Sequence, residues 1–152
     1  MNEHAGILHK VARGYAPGPA DREDLLQEIL FAVWRSIPSF RGDSQPSTYL
    51  YRIALNRAIA LQRADASRGG REDSMALDAA HLVATADEPD ERLECVYAEL
   101  RKLDEVSRAA VLLQLDGYRY EEIAELLGLS ASNVGVRLSR ARKTLINNLR
   151  ER

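Results

Sequence analysis

The segment from Gly117 to Arg150 restricts what this chain can fold into more than any other, because it sets a helix stop, a turn and a helix start almost side by side. Ile123, Ala124, Leu126 and Leu127 recur at helical spacing, with Glu121, Glu122 and Glu125 mostly on the wet side. Gly128 follows the last periodic position, where a left-handed conformation ends a helix without a Cβ penalty. Ser130 then stands where an N-cap oxygen is needed to start the next helix. Two helices joined by a tight turn, the second long and basic, have the shape of a helix-turn-helix that reads duplex DNA.

The second helix can be plotted at about 100° per residue. Val134, Leu138, Ala141 and Leu145 fall on one stripe and are expected to face a core. Ser132, Asn133, Val136, Ser139, Arg140 and Lys143 lie opposite, with Arg137 and Arg142 on the flanks. Short polar, apolar and cationic groups together suit a major groove. Arginine reads guanine edges, apolar groups meet thymine methyls, and Lys or Ser hold phosphates. Gly135 is out of place, since a glycine inside a helix costs about 1 kcal/mol relative to Ala. Either the backbone must approach DNA there or the glycine is merely tolerated.

A formal net charge of −2 argues against a protein that coats DNA through overall basicity. The charge is instead unevenly spread. Arg137 to Arg152 holds six basic residues and one acidic, whereas Glu72 to Glu105 holds eleven acidic and three basic. DNA affinity is therefore expected to be local and salt-sensitive.

The periodic segments are helical throughout, which predicts an all-α fold. A first helix is expected from Glu3 to Arg13, a breaker from Gly14 to Ala20, a second helix from Arg22 to Ser36, and an end to it at Pro38. Phe40 to Ser47 reads as a loop and Thr48 to Ala64 as a third helix. The following stretch is small and polar, with a weak helical patch from Met75 to Val83. Helical pattern returns at Pro89, with Leu93, Val96, Leu100 and Leu103 on one stripe, and a further helix runs to the Asp116-Gly117 turn. The division is two small helical domains, 1–64 and 89–152, joined by a flexible linker, 65–88.

In the second helix, Leu26, Ile29, Leu30, Val33, Trp34 and Ile37 form the expected inner side. Asp24, Glu28, Phe31 and Arg35 lie opposite, with Gln27 on the flank. Phe31 on a charged face points to a partner surface, or to partial cover by the first helix. Further on, Phe40, Tyr49 and Tyr51 alternate with Arg41, Arg52, Arg57 and Arg63. Aromatic rings stack on unpaired bases while arginines follow the backbone, although Tyr49 and Leu50 could equally be core.

The run Asp24-Leu25-Leu26-Gln27-Glu28, then Trp34, Phe40-Arg41-Gly42-Asp43-Ser44, and Tyr49 through Ala54 with Asn56, resembles region two of the extracytoplasmic-function sigma factors of bacterial RNA polymerase. Leu115, Gly117, Tyr118 and Tyr120 through Ala124, followed by Val134, Arg137-Leu138 and Arg140-Ala141-Arg142, resembles region four. The resemblance implies that Asp24, Gln27, Glu28, Phe31 and Arg35 meet the clamp coiled coil of core RNA polymerase, with region four meeting its flap. It implies that Arg41, Asp43, Ser44, Gln45, Ser47, Thr48, Tyr49, Tyr51, Arg52 and Asn56 recognise and melt the minus-ten element, with capture of a flipped base. It implies that Ser132, Asn133, Val136, Arg137, Ser139, Arg140 and Lys143 read the minus-thirty-five element. An anti-sigma factor is the implied regulator. The chain departs from the family pattern at Tyr49, where Trp is usual, at Gln45-Pro46-Ser47, and at Gly135, where Lys or Arg is common.

Two rival readings fit less well. A mimic that only titrates an anti-sigma factor has no use for the basic face of the last helix. A stand-alone repressor would leave Phe31 and the aromatic-basic stretch without a purpose, and no dimerisation heptad is visible. No catalytic constellation, phosphate-binding glycine loop or metal-ligand spacing appears, so no enzyme activity, cofactor, metal or small-molecule substrate is expected. Cys95 is the only cysteine and reads as a small buried apolar group in a reducing compartment. With no membrane-spanning run and no signal-peptide core, a cytoplasmic protein without membrane insertion is expected.

Overall fold

The computed structural model describes residues 2–68 and 90–152. The chain divides into two compact units, Met1–Ala84 and Thr85–Arg152. The described residues of both are helical, joined by turns and short loops, without a strand. The Met75–Val83 patch lies outside the described residues.

The first unit holds α1 (Asn2–Tyr15), α2 (Pro19–Ser36) and α3 (Pro46–Ser67). α2 begins earlier than Arg22 because Gly18 supplies an extended N-cap and Pro19 takes the first helical position, where its missing N–H is no loss. Arg22 ties the α1–α2 connection by donating to the carbonyls of Ala16 and Pro17, each at 3.1 Å. α2 ends at Ser36, and Pro38 sits in a single 3-10 turn, Ile37–Ser39. α3 opens with Pro46 after an extended Gln45 and runs past Ala64 to Ser67. Leu8, Val11, Ala12, Leu25, Ile29, Tyr51, Ala54, Leu55 and Ala58 form the core where the three helices meet.

The expected inner side of α2 holds only in part. Leu25 and Ile29 are buried and Leu26 and Val33 half-buried, whereas Leu30, Trp34 and Ile37 are exposed, Trp34 to 74%. α1 and α3 cover a narrower arc than the apolar residues of α2 span. The remainder is an apolar stripe on the surface of this unit.

The second unit holds α4 (Glu91–Leu100), α5 (Glu105–Leu115), α6 (Tyr120–Leu127) and α7 (Ala131–Arg150). Asp90 caps α4 by accepting from the amides of Arg92 and Leu93. The stripe of α4 is set differently from the expected one, since Tyr97 and Leu100 are buried while Leu93 is exposed and Cys95 half-buried. Arg108 of α5 is buried and donates to the carbonyls of Leu100, Arg101 and Leu103 at 3.0, 2.9 and 2.7 Å. A charge-assisted bond is about twice as strong as a neutral one, and here it meets the negative end of α4. Ala109, Ala110, Leu112, Leu113, Ile123, Val134, Leu138 and Ala141 complete the core.

Candidate nucleic-acid interface

The turn between α6 and α7 has the chemistry expected of it. Gly128 is left-handed, with φ 69° and ψ 35°. The Ser130 hydroxyl accepts from the Asn133 amide at 3.1 Å and starts α7. At the other end of α6 the Glu122 carboxylate accepts from the Arg119 amide at 3.0 Å and from its Nε at 3.1 Å, which holds the Glu122 carboxyl below its ordinary range. Both helices of the motif are thus fixed at their starts by side-chain oxygens.

Val134, Leu138 and Ala141 of α7 are buried and Leu145 half-buried. Ser132, Asn133, Val136, Ser139, Arg140 and Lys143 are exposed on the other side. Arg137 differs from them. Its Nε donates to Asn133 Oδ1 at 2.8 Å, and its Nη1 donates to Asp104 Oδ2 at 3.0 Å and to Ser107 Oγ at 3.2 Å. Asp104 is also the N-cap of α5, where Oδ2 accepts from the Ser107 amide at 3.1 Å. Partial burial would raise the Asp104 carboxyl, but the Ser107 hydroxyl and amide and the Arg137 charge outweigh it and hold it below the usual range. An open groove of about 600 Å³ runs along the start of α5 and the outer side of α7, with Asp104, Ser107, Asn133, Val136 and Arg140 in its lining. Sequence reasoning does not reach this part of Asp104; the one signal for it there is the capping spacing of Asp104 to Ser107.

Gly135 lies over the ring of Tyr120. A Cβ there would sit 3.5 Å from Cε2 and 3.7 Å from Cδ2, an ordinary contact. Nothing within this unit therefore requires glycine.

In the first unit the loop after the 3-10 turn carries Arg41, Asp43 and Gln45 exposed and Ser44 half-buried, with Gly42 at φ 77°. Ser47, Thr48 and Arg52 are half-buried and Asn56 is exposed. Tyr49 packs its ring on Phe40 with centroids 4.7 Å apart, and its hydroxyl donates to the Ser36 carbonyl at 3.0 Å. Tyr51 does not join this surface: it is 1% exposed and lies on the buried stripe of α3 with Ala54, Leu55 and Ala58. Its spacing to those residues is that of a helix face turned inward.

Asp24, Gln27, Glu28, Phe31 and Arg35 are all exposed on α2. The Arg35 guanidinium lies over the Phe31 ring, 4.6 Å from its centroid, and Phe31 is 56% exposed. Glu28 pairs with Arg57 of α3 at 2.8 Å. Asp24, Gln27, Glu28 and Phe31, but not Arg35, border an open groove between α2 and the second half of α3, lined also by Leu61 and Gln62.

Comparison with known proteins agrees with this architecture. The family model for sigma-70 region 2 matches residues 1–68, and that for sigma-70 region 4 matches residues 93–145. The ECF RNA polymerase sigma-E factor of Haemophilus influenzae is 33% identical over 162 residues, covering 98% of this chain and 82% of the relative. That of Escherichia coli K12 is 34% identical over 154 residues, covering 91% and 80%. The structure of CnrH in complex with the cytosolic domain of CnrY superposes with a TM-score of 0.67 at 29% identity, covering 99% of this chain and 84% of that one. The sigma factor RpoE of Bartonella quintana, solved with the anti-sigma factor NepR, shares the fold with a TM-score of 0.72 at 24% identity, covering 98% and 95%. A region 2 unit followed by a region 4 unit defines the class as sigma-70-type. Within that class, the chain belongs to the ECF RNA polymerase sigma factors. Among the described residues no helix is long and apolar enough to cross a membrane.

Proposed function

We propose that this sigma factor binds core RNA polymerase and directs it to promoters with two separated elements. The observation that carries the reading is the outward face of α7, on a helix-turn-helix closed by Gly128 and Ser130. In this reading Ser132, Asn133, Val136, Ser139, Arg140 and Lys143 meet the minus-thirty-five element, with Arg137 beside them. Arg41, Asp43, Ser44, Gln45, Ser47, Thr48, Tyr49, Arg52 and Asn56 meet and open the minus-ten element. Asp24, Gln27, Glu28, Phe31 and Arg35 dock on the polymerase clamp, and the second unit meets the flap. The functional domains are 1–64 and 89–152, with 65–88 between them.

Two weak anchors on one chain act together, because the first contact raises the effective concentration of the second. The protein supplies recognition and no catalytic step, and acts in the cytoplasm. Control by an anti-sigma factor completes the reading, in keeping with the RpoE of Bartonella quintana, which was solved with the anti-sigma factor NepR. The test is run-off transcription with purified core polymerase on a promoter library. New start sites that depend on the added protein are expected, and their absence overturns the proposal.

A further inference from the structure

Arg137 stands on the flank of the proposed reading face, and three hydrogen bonds hold its guanidinium within its own unit. An arginine recognises guanine, or grips a phosphate, with two parallel N–H groups along one edge of the guanidinium. One such edge joins Nε to Nη2 and the other joins Nη1 to Nη2. Nε is engaged by Asn133, and both hydrogens of Nη1 are engaged by Asp104 and Ser107. Each edge therefore has one end occupied, and no bidentate contact can form while these bonds persist. Arg140, one turn further on, is exposed, and its side chain has no such tether among the described residues. The Asp104 carboxylate is an anionic partner of Arg137, as a phosphate is for an arginine on DNA.

We infer that Asp104 is a specificity-determining residue of region 4: it competes with DNA for Arg137, holds that cation out of the contact set, and leaves upstream reading to Arg140 and its neighbours. This deepens the proposed function and rests on it. The restraint has a chemical purpose. A freed arginine beside the groove finds phosphates on any sequence, which adds affinity without discrimination.

The test measures binding of the full-length protein to a random-sequence duplex by fluorescence anisotropy at a series of KCl concentrations. Asp104→Ser retains a capping oxygen for α5 but removes the charge and draws the acceptor back from Arg137. Several-fold tighter binding is expected, with a salt slope steeper by about 0.9 for one added phosphate contact. Asp104→Asn, which keeps both size and cap, is expected to give a smaller gain in the same direction. In the Arg137→Gln background the gain should vanish. Unchanged affinity and slope in both variants overturn the inference. An equal gain in the Arg137→Gln background also overturns it, since that result reflects only the loss of a negative charge near DNA. Run-off transcription by the wild-type holoenzyme separates the two levels. Initiation without an Asp104 effect sinks the inference alone, whereas no initiation sinks the promoter reading beneath it.

Discussion

Asn148, near the end of α7, donates to Glu99 Oε2 of α4 at 2.9 Å. The Glu99 side chain is 1% exposed, and its other oxygen accepts from Lys102 at 2.9 Å and Arg152 at 2.8 Å. One buried carboxylate thus fixes the distal half of α7 to α4 of its own unit. Glu99→Ala leaves three donors without their acceptor and should lower the thermal midpoint. Asn148→Ala should lower it less, because Lys102 and Arg152 keep the charge paired. Equal effects in circular-dichroism melts would show that the carboxylate is not the centre of the arrangement.

Acid should loosen this same unit. The Lys102 hydrogen bond lowers the Glu99 carboxyl against the opposing effect of burial, and Asp104 and Glu122 are lowered as well. A carboxyl depressed in the folded state stabilises fully above its unfolded value and loses that contribution as pH falls through the folded value. Stability should thus hold above the ordinary values of 4.5 for glutamate and 3.8 for aspartate, and fall below them. Hydrogen exchange of α7 amides across that range should show protection lost on the acid side only.

Gly135→Ala should stabilise the protein by up to about 1 kcal/mol, since alanine is the better helix former and the Tyr120 ring leaves room for a methyl group. Duplex affinity is the informative second measurement. If the backbone approaches DNA closely at this point, the methyl group will weaken binding while raising the thermal midpoint. If the glycine is merely tolerated, binding will not change.

Arg140→Ala should weaken recognition of the upstream element by about 1–3 kcal/mol and relax preference at one position. The measurement is a promoter-library run-off comparing base preference at each upstream position. An unchanged profile would remove Arg140 from the reading face.

Trp34 is the only tryptophan in the chain and sits one turn from Phe31 and beside Arg35 on α2. Its emission should shift to shorter wavelength when core polymerase binds, if docking reaches this side of the helix. Phe31→Ala should reduce polymerase affinity by about 1 kcal/mol or more, as truncation of a central aromatic anchor does. Wild-type affinity in the Phe31→Ala protein would move the docking face elsewhere on the unit.

How much could be read beforehand depended on how local each cause was. Gly128 and Ser130 act within a turn, so their chemistry was visible in sequence and is found in the fold. Tyr49 and Tyr51 stand two residues apart, and the family resemblance implies base contact for both. The spacing of Tyr51 to Ala54, Leu55 and Ala58 held the signal that separates them, because it is the buried face of α3. The outward turn of Leu30, Trp34 and Ile37 could not be read, since periodicity reports the width of an apolar arc and not how much of it neighbours cover. The Arg137–Asp104 bond joins residues 33 positions apart and exists only once α5 and α7 have packed.

The loop proposed to open the minus-ten element is clamped at its base. The Phe40 amide donates to Ile37 and the Tyr49 amide to Gln45, each at 3.1 Å, and the Tyr49 hydroxyl closes onto Ser36. Loop ordering on binding costs roughly 0.5–1.5 kcal/mol for each immobilised flexible side chain, and backbone ordering adds to it. A loop whose two ends are tied together has settled part of its backbone entropy during folding. Under the proposed function less ordering then remains for the encounter with an unpaired base, and more of the energy of base capture can go toward opening the duplex.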